Sequence, residues 1–449
     1  MFTPMSRFST EGNENHSIAS NLEGSLLISR KIFPYFMLVA LEAGGPIRAF
    51  ILLLSSPVLW LLEWLCFESV SLQVMIFISF GGLKFSDIKT VANSVLPRFL
   101  LGDIRSDAYK VFSSCGGKKY VVTSMPRIMV ESFLQDFLNV HHVLGTELRF
   151  VGEYCLGIIA KKEEITDVKQ VDIGLGDAFD HHPYPKPVIF HDGRLVARPT
   201  LIDSIAVIMW IPLGILLAVL RLLIGKILPH KLGIMVAAAT GLKIRAKLSP
   251  DTCSGGTGTN ILYVCSHRTL IDPVMVSTTL QKSVTAVTYS VSRISELLSP
   301  IRTVRLTRDR SKDGEAMQGL LKQGDLVVCP EGTTCREPYL LRFSPLFAEI
   351  ADVIVPVAVE AKSSMFYGTS VRGYKGLDSF FFLMNPNPEY YLEFLKKLSG
   401  VRVCGGSSYE FANSMQKLIG TALGFECTSL TRKDKYMALA GTDGREIGR

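Results

Sequence analysis

The chain has 449 residues, 48% apolar and 20% charged, with a mean hydropathy of +0.28 and a formal net charge of +7. That is greasy for a cytosolic enzyme and too polar for a many-pass transporter, and it fits a globular enzyme held at a membrane. The basic residues are dispersed and form no reader motif, which argues against nucleic acid as a partner and suits attraction to anionic lipid headgroups. Nine scattered cysteines without a C-x-x-C pair argue against a disulfide framework and a zinc site.

Residues 1–19 are polar, and their composition predicts disorder. They contain neither the apolar core of a signal peptide nor the basic, acid-poor pattern of a mitochondrial transit peptide. A first apolar stretch runs over residues 32–83, interrupted by Glu42, Arg48, Glu63 and Glu68. Its uncharged pieces, Ala49–Leu62 and Ser69–Leu83, are shorter than the roughly 20 residues a bilayer crossing needs. They predict helices that lie in the interface or cap a core. A true span would require a charged residue to snorkel or pair.

Residues 98–190 read as soluble α/β. KKYVVTS and ELRFVGEYCLGIIA have strand character, and PRIMVESFLQDFL is an amphipathic helix. The segment 188–200 within HHPYPKPVIFHDGRLVARPT reads as a linker. Residues 201–228 are expected to form a membrane helix, with Trp210 inside and Lys226, His230 and Lys231 at its end. A re-entrant hairpin bent at Pro212–Gly214 and a buried soluble helix are the alternatives. From residue 229 onward, NILYVC, VTAVTY, DLVVCP and DVIVPVAVE predict buried strands of one sheet separated by helices, an α/β domain.

Four segments of this domain carry chemistry. In ILYVCSHRTLIDP a strand ends at Cys265 and His267 follows at the mouth of the sheet, where open α/β sheets place ligands. Asp272, five residues on, can orient the imidazole and make it a general base for an alcohol. In DLVVCPEGTTCREP, Gly332 permits close backbone approach. The amides with Thr333 and Thr334 can hold phosphate oxygens, and Glu331 can accept from polyol hydroxyls. In TVRLTRDR, Arg308 and Arg310 share a face and can meet one phosphate, with Arg305 nearby. In VIVPVAV, Pro356 marks an edge or a bulge.

These four segments, in this order, resemble the glycerolipid acyltransferase family. The chain is similar in particular to plant glycerol-3-phosphate sn-2-acyltransferases of cutin and suberin synthesis. FPYFMLVALEAGG, VIFHDGRLVARPT, GDLVVCPEGTTCREPYLLRFSPLFAE and LGFECTSLTRKDKYMALAGTDGR carry that similarity over residues 20–449. The resemblance implies an acyltransferase domain over 229–449 and a Rossmann-like, haloacid-dehalogenase-like domain over 20–187, with membrane-associated helices. It implies His267 as the base and Asp272 as its support. Arg308, Glu331, Gly332 and Thr333 would hold glycerol 3-phosphate, with Arg305 a weaker carry-over. Acyl-CoA is the co-substrate and the lipid bilayer a partner, with no cofactor and no metal. Endoplasmic reticulum is the expected location, with mitochondrion as the alternative.

Active phosphatases of the haloacid-dehalogenase type open with D-x-D-G-T and later show G-D-x-x-x-D. Here the first motif reads Asn21-Leu22-Glu23-Gly24-Ser25, and the second has Asp177 and Asp180 one residue too close. An amide at position 21 cannot form an aspartyl-phosphate. The expectation is a degenerate phosphatase domain and lysophosphatidic acid as product. A lysophospholipid acyltransferase, a bifunctional enzyme releasing monoacylglycerol and a non-catalytic scaffold are the competing readings.

Overall fold

The computed structural model describes residues 17–162, 190–249, 260–289, 293–371, 373, 375–401 and 405–443. The chain forms two compact units, residues 1–193 with 197–208, and residues 194–196 with 209–449.

The first unit is built on a four-stranded sheet, β1 (Ile18–Asn21), β2 (Lys119–Pro126), β3 (His142–Val151) and β4 (Tyr154–Lys162), in that order. The first three strands run parallel, and β4 returns antiparallel from β3 through Gly152, whose φ of 58° suits a residue without a Cβ. Composition misplaces the start of the ordered chain. Ile18 and Ala19 are 2% and 0% exposed and pair with Lys119 and Tyr120, so a short apolar pair inside a polar tail is enough to enter the sheet. Residues 1–16 and the acidic motif with Asp177 and Asp180 lie outside the described residues.

Six α-helices separate β1 from β2. Phe33–Glu42 is apolar all round and buried from Pro34 to Ala40, as a core helix is. Pro46–Trp64 buries only Ala49, Leu52 and Leu59 and exposes Phe50, Ile51, Leu54, Trp60 and Trp64. The stretch 32–83 is thus three helices: a core helix, one with an uncovered apolar face, and Glu68–Phe80, which buries Met75, Ile76 and Phe80. The expected linker is also packed: Phe190, His191 and Asp192 are buried, and the Asp192 N–H donates to the Ser94 carbonyl at 2.8 Å.

The second unit holds an eight-stranded sheet. In chain order its strands are β5 (Lys243–Leu248), β6 (Leu262–Cys265), β7 (Thr285–Thr288), β8 (Thr303–Arg305) and β9 (Leu326–Val328). After β10 (Tyr339–Leu340) come β11 (Val353–Lys362), β12 (Glu389–Phe394) and β13 (Leu398–Ser399), and β14 (Glu426–Cys427) pairs with β10 apart from the main sheet. The spatial order is β5-β12-β11-β6-β9-β7-β8, with β13 also on β11. All pairings are parallel except those of β11 with β12 and β13. Leu262–Cys265 is buried at every position, as expected of a strand covered on both faces. The core continues through Leu326, Ile354 and Ala358 to Met415 and Ile419 of the helix Ser408–Leu423.

Pro356 is not on an edge strand, because β11 lies between β12 and β6. Its partner on one side changes around it: Ile354 pairs with Leu398 of β13, and Val357 pairs with Phe394 of β12. The Pro356 carbonyl accepts from Leu395 N–H at 3.0 Å in that interval. The missing proline donor therefore falls where β11 passes from one partner strand to the next, so the ladder loses a single bond at its end.

Leu201–Ile227 is one continuous helix of 27 residues. Within the second unit, Trp210 Nε1 donates to the Met384 carbonyl at 2.8 Å. Arg221, buried in an apolar helix, spends its guanidinium on the carbonyls of Leu383 (2.7 Å), Asn385 (2.6 Å), Pro386 (3.1 Å) and Thr240. These bonds hold one helix face against the domain. Met209, Leu213, Leu216 and Leu220 remain exposed on the rest.

Candidate active site

Strands β6 and β9 are parallel neighbours, with Val264 opposite Val328. That register sets Cys265 beside Cys329, with sulfurs 3.2 Å apart, and lets the two following loops leave the sheet together. One loop carries His267 and the other Glu331.

His267 Nδ1 lies 3.0 Å from Asp272 Oδ2. Asp272 is fully buried at the start of the helix Asp272–Leu280. Its carboxylate also accepts from Arg268 N–H (2.6 Å), Thr269 N–H (2.9 and 3.0 Å), the Thr269 hydroxyl (3.0 Å) and the Tyr390 hydroxyl (3.0 Å). Every group facing it is a donor, so the imidazole nitrogen that faces it carries the proton. That leaves the Nε2 lone pair free, and Nε2 has no hydrogen-bond partner among the described residues. The imidazole is 14% exposed.

Glu331 is 3% exposed and points inward. The His267 N–H donates to Oε1 at 2.8 Å and the Leu341 N–H to Oε2 at 3.0 Å, while Cys335 N–H donates to the His267 carbonyl at 2.7 Å. Burial pushes the Glu331 carboxyl above its ordinary range, against the opposing pull of the His267 N–H. Gly332, at φ 70°, makes the turn that aims Glu331 inward. Thr333 is 7% exposed and does not line the cavity described next.

Beyond this turn lies a cavity of about 390 Å³ lined by Arg308, Arg310, Arg342 and Arg432, with Cys329, Glu331 and Gly332 in its wall. Arg308 has φ 69°, a left-handed conformation held by the Asp313 side chain, which accepts the Thr307 N–H (2.7 Å) and Arg308 N–H (2.9 Å). Among the described residues neither Arg308 nor Arg342 has a carboxylate partner, and Arg310 pairs with Glu349. Arg305 does not line the cavity. It is exposed on β8 and forms an ion pair with Glu296, with Nη2 2.9 Å from Oε2.

A second cavity, about 200 Å³ and mostly apolar, is lined by Leu222, Ile224, Leu228, Ile271, Pro273 and Met275 among others. Ile271 and Pro273, the chain neighbours of Asp272, stand in its wall, while His267 and Asp272 themselves line neither cavity.

Donor atoms of His267, Asp272 and Cys329 lie within 4.8 Å of one another. Contact with the Cys265 thiol, followed by burial, pushes the Cys329 thiol well above its ordinary range. Asp272 is already saturated, and four arginines line the adjoining cavity. The arrangement suits proton transfer next to an anion.

In the first unit, Asn21 closes β1 where a phosphatase would carry its nucleophilic aspartate. Oε1 of Glu23 accepts from the Thr123 hydroxyl (2.5 Å), Ser124 N–H (3.1 Å), the Ser124 hydroxyl (3.1 Å) and Met125 N–H (3.4 Å). The side chain fills a nest that would suit a phosphate oxygen.

Tyr390, Arg342 and Arg432 were not singled out from the sequence. Tyr390 had no local signal, while Arg342 and Arg432 lie in segments that the family resemblance quoted without assigning a role.

A family model described as glycerol-3-phosphate acyltransferase RAM2-like, HAD-like domain matches residues 17–188, and an acyltransferase model matches residues 245–360. Glycerol-3-phosphate acyltransferase RAM2 of Petunia hybrida is 45% identical over 464 residues, covering 94% of this chain and 97% of that protein. Glycerol-3-phosphate acyltransferase 1 of Arabidopsis thaliana is 45% identical, covering 92% of this chain and 78% of that protein. Probable glycerol-3-phosphate acyltransferase 2 of Arabidopsis thaliana is 42% identical, covering 96% and 90%. At this identity over nearly its whole length, the chain belongs to the RAM2-like glycerol-3-phosphate acyltransferase family.

Proposed function

We propose that this protein transfers an acyl group from acyl-CoA to the sn-2 hydroxyl of glycerol 3-phosphate and releases lysophosphatidic acid. The observation that carries the reading is the His267 imidazole held by buried Asp272, with Glu331, which accepts the His267 N–H, in the wall of the arginine-lined cavity and Ile271 and Pro273, the chain neighbours of Asp272, in the wall of the apolar one. The acceptor's phosphate sits among the arginines, and the acyl chain occupies the apolar cavity. Nε2 takes the hydroxyl proton as the oxygen attacks the thioester carbonyl. The tetrahedral intermediate collapses, and the departing CoA sulfur receives that proton from the imidazolium. No enzyme nucleophile is required, and the neutral Cys329 thiol is poorly suited to be one. Glu331 positions His267 through its amide, and Gly332 shapes the turn.

The protein works at a membrane, which we place at the endoplasmic reticulum and assign to cutin or suberin lipid synthesis. Supporting this are two helices, Pro46–Trp64 and Leu201–Ile227, each long and apolar enough to cross a bilayer and largely uncovered. The test is an assay of the full chain in lipid nanodiscs with glycerol 3-phosphate, lysophosphatidic acid and a panel of acyl-CoAs, with product regiochemistry and free phosphate both measured. The expected result is sn-2 lysophosphatidic acid without phosphate release. Preferential acylation of lysophosphatidic acid would overturn the acceptor assignment.

A further inference from the structure

The C-terminal segment is woven over the Pro330–Thr334 turn. Thr428 donates to the Leu340 carbonyl from its N–H (3.0 Å) and its hydroxyl (2.9 Å), and Arg342 N–H donates to the Leu430 carbonyl (2.8 Å). A capping box between Thr431 and Asp434 then starts the helix Arg432–Ala440. Buried Lys435, on that helix, donates to the Thr334 carbonyl. These contacts fix Arg432 over the turn: its Cδ stands 3.9 Å from where a Cβ on Gly332 would be.

The Arg432 guanidinium lies over the Tyr436 ring, 4.9 Å from its centroid, and its Nη1 is buried with no hydrogen-bond partner among the described residues. A buried N–H left unpaired is costly, yet this one belongs to a residue lining the cavity that holds Arg308 and Arg342. The two carboxylates in that wall, Asp313 and Glu331, are taken up by backbone amides and do not face Arg432 as partners. A tetrahedral dianion with several acceptor oxygens satisfies the fork of Arg432 together with the other guanidinium groups.

We infer that Arg432 is a direct binding residue for the acceptor's phosphate monoester, so that the C-terminal helix forms one wall of the acceptor site. This rests on the acceptor reading above and extends it to a segment outside the acyltransferase motifs. It also names the acceptor class. A phosphate monoester satisfies the site, whereas glycerol or monoacylglycerol leaves the guanidinium unpaired.

The test compares full-length wild type with Arg432→Gln, Arg432→Lys and the exposed-neighbour control Lys433→Gln in nanodiscs. Steady-state kinetics are measured, with thermal shift induced by glycerol 3-phosphate and by inorganic phosphate. Arg432→Gln should raise KM for glycerol 3-phosphate about 10–100-fold and lose the phosphate-induced shift, while KM for acyl-CoA and the ligand-free melting temperature stay put. Arg432→Lys keeps the charge without the fork and should fall between, serving as the readout if the Gln variant does not fold. Lys433→Gln should behave as wild type. An unchanged KM for glycerol 3-phosphate, or a fall in kcat with a lower melting temperature and no change in that KM, would overturn the inference. If wild type binds inorganic phosphate through Arg432 yet acylates no glycerol 3-phosphate, the functional reading fails and the binding residue stands.

Discussion

Tyr390 donates its hydroxyl to Asp272 Oδ1 at 3.0 Å across 118 residues of sequence. The bond spans the sheet, from β12 past β11 to the loop after β6. It fixes the carboxylate that fixes the imidazole. Tyr390→Phe removes one of the donors to a buried carboxylate, a change of about 1.5–3 kcal/mol. The expected outcome is a fall in kcat of roughly 10–100-fold with KM for glycerol 3-phosphate little altered, checked by steady-state kinetics. A fall confined to that KM would exclude the positioning role.

His267→Ala removes the proposed base. Acyl transfer should fall by about 10²–10⁴-fold, with the melting temperature within error of wild type. Activity near the wild-type level would mean that another base serves the reaction.

Glu331→Gln keeps shape and loses symmetry. Both Glu331 oxygens receive backbone N–H groups, so a carboxamide must turn its NH₂ toward one of them. The cost is about 1–3 kcal/mol, read as lower stability to denaturant together with reduced kcat. Wild-type stability would show that the brace carries no weight.

Cys329 gives a pH-dependent signature. Its thiol is held well above the ordinary range, so the neutral form is favoured in the folded state. Stability from this group is fully present below the unfolded thiol value of about 8.5 and is lost as pH rises through the folded value. Iodoacetamide labelling of Cys329, followed by mass spectrometry, should be slow at neutral pH and accelerate only in alkaline buffer. Rapid labelling at pH 7 would contradict the shift.

Asn21→Asp should not release inorganic phosphate from lysophosphatidic acid, because Glu23 already occupies the hydroxyls and amides of Thr123, Ser124 and Met125. Phosphate release by that variant would show that the nest opens to substrate.

Much of the fold was legible because its signals are local. The apolar runs that became β6, β7, β9 and β11 are short and bounded by turn residues; His267 and Glu331 sit on the loops that follow two of them, and Asp272 opens the helix after the first of those loops. What was illegible depends on distant partners. Nothing around Tyr390 or Arg432 announces an aspartate 118 residues away or a glycine turn a hundred residues upstream. Pro356 suggested an edge strand because the sequence does not reveal that one neighbouring strand ends where another begins. Phe33–Glu42 and Pro46–Trp64 are both apolar on all sides, so periodicity could not tell the core helix from the uncovered one.

Glu23 has a consequence for how the N-terminal unit persists. A phosphatase that loses its nucleophile is left with a cluster of inward-facing donors and nothing to receive them, which weakens the fold until the donors are removed or satisfied. Here one side chain satisfies them permanently. The unit is self-liganded: the Glu23 carboxylate takes the donors of Thr123, Ser124 and Met125. Its melting temperature should therefore not respond to inorganic phosphate, whereas a shift on adding phosphate would show that the nest is open.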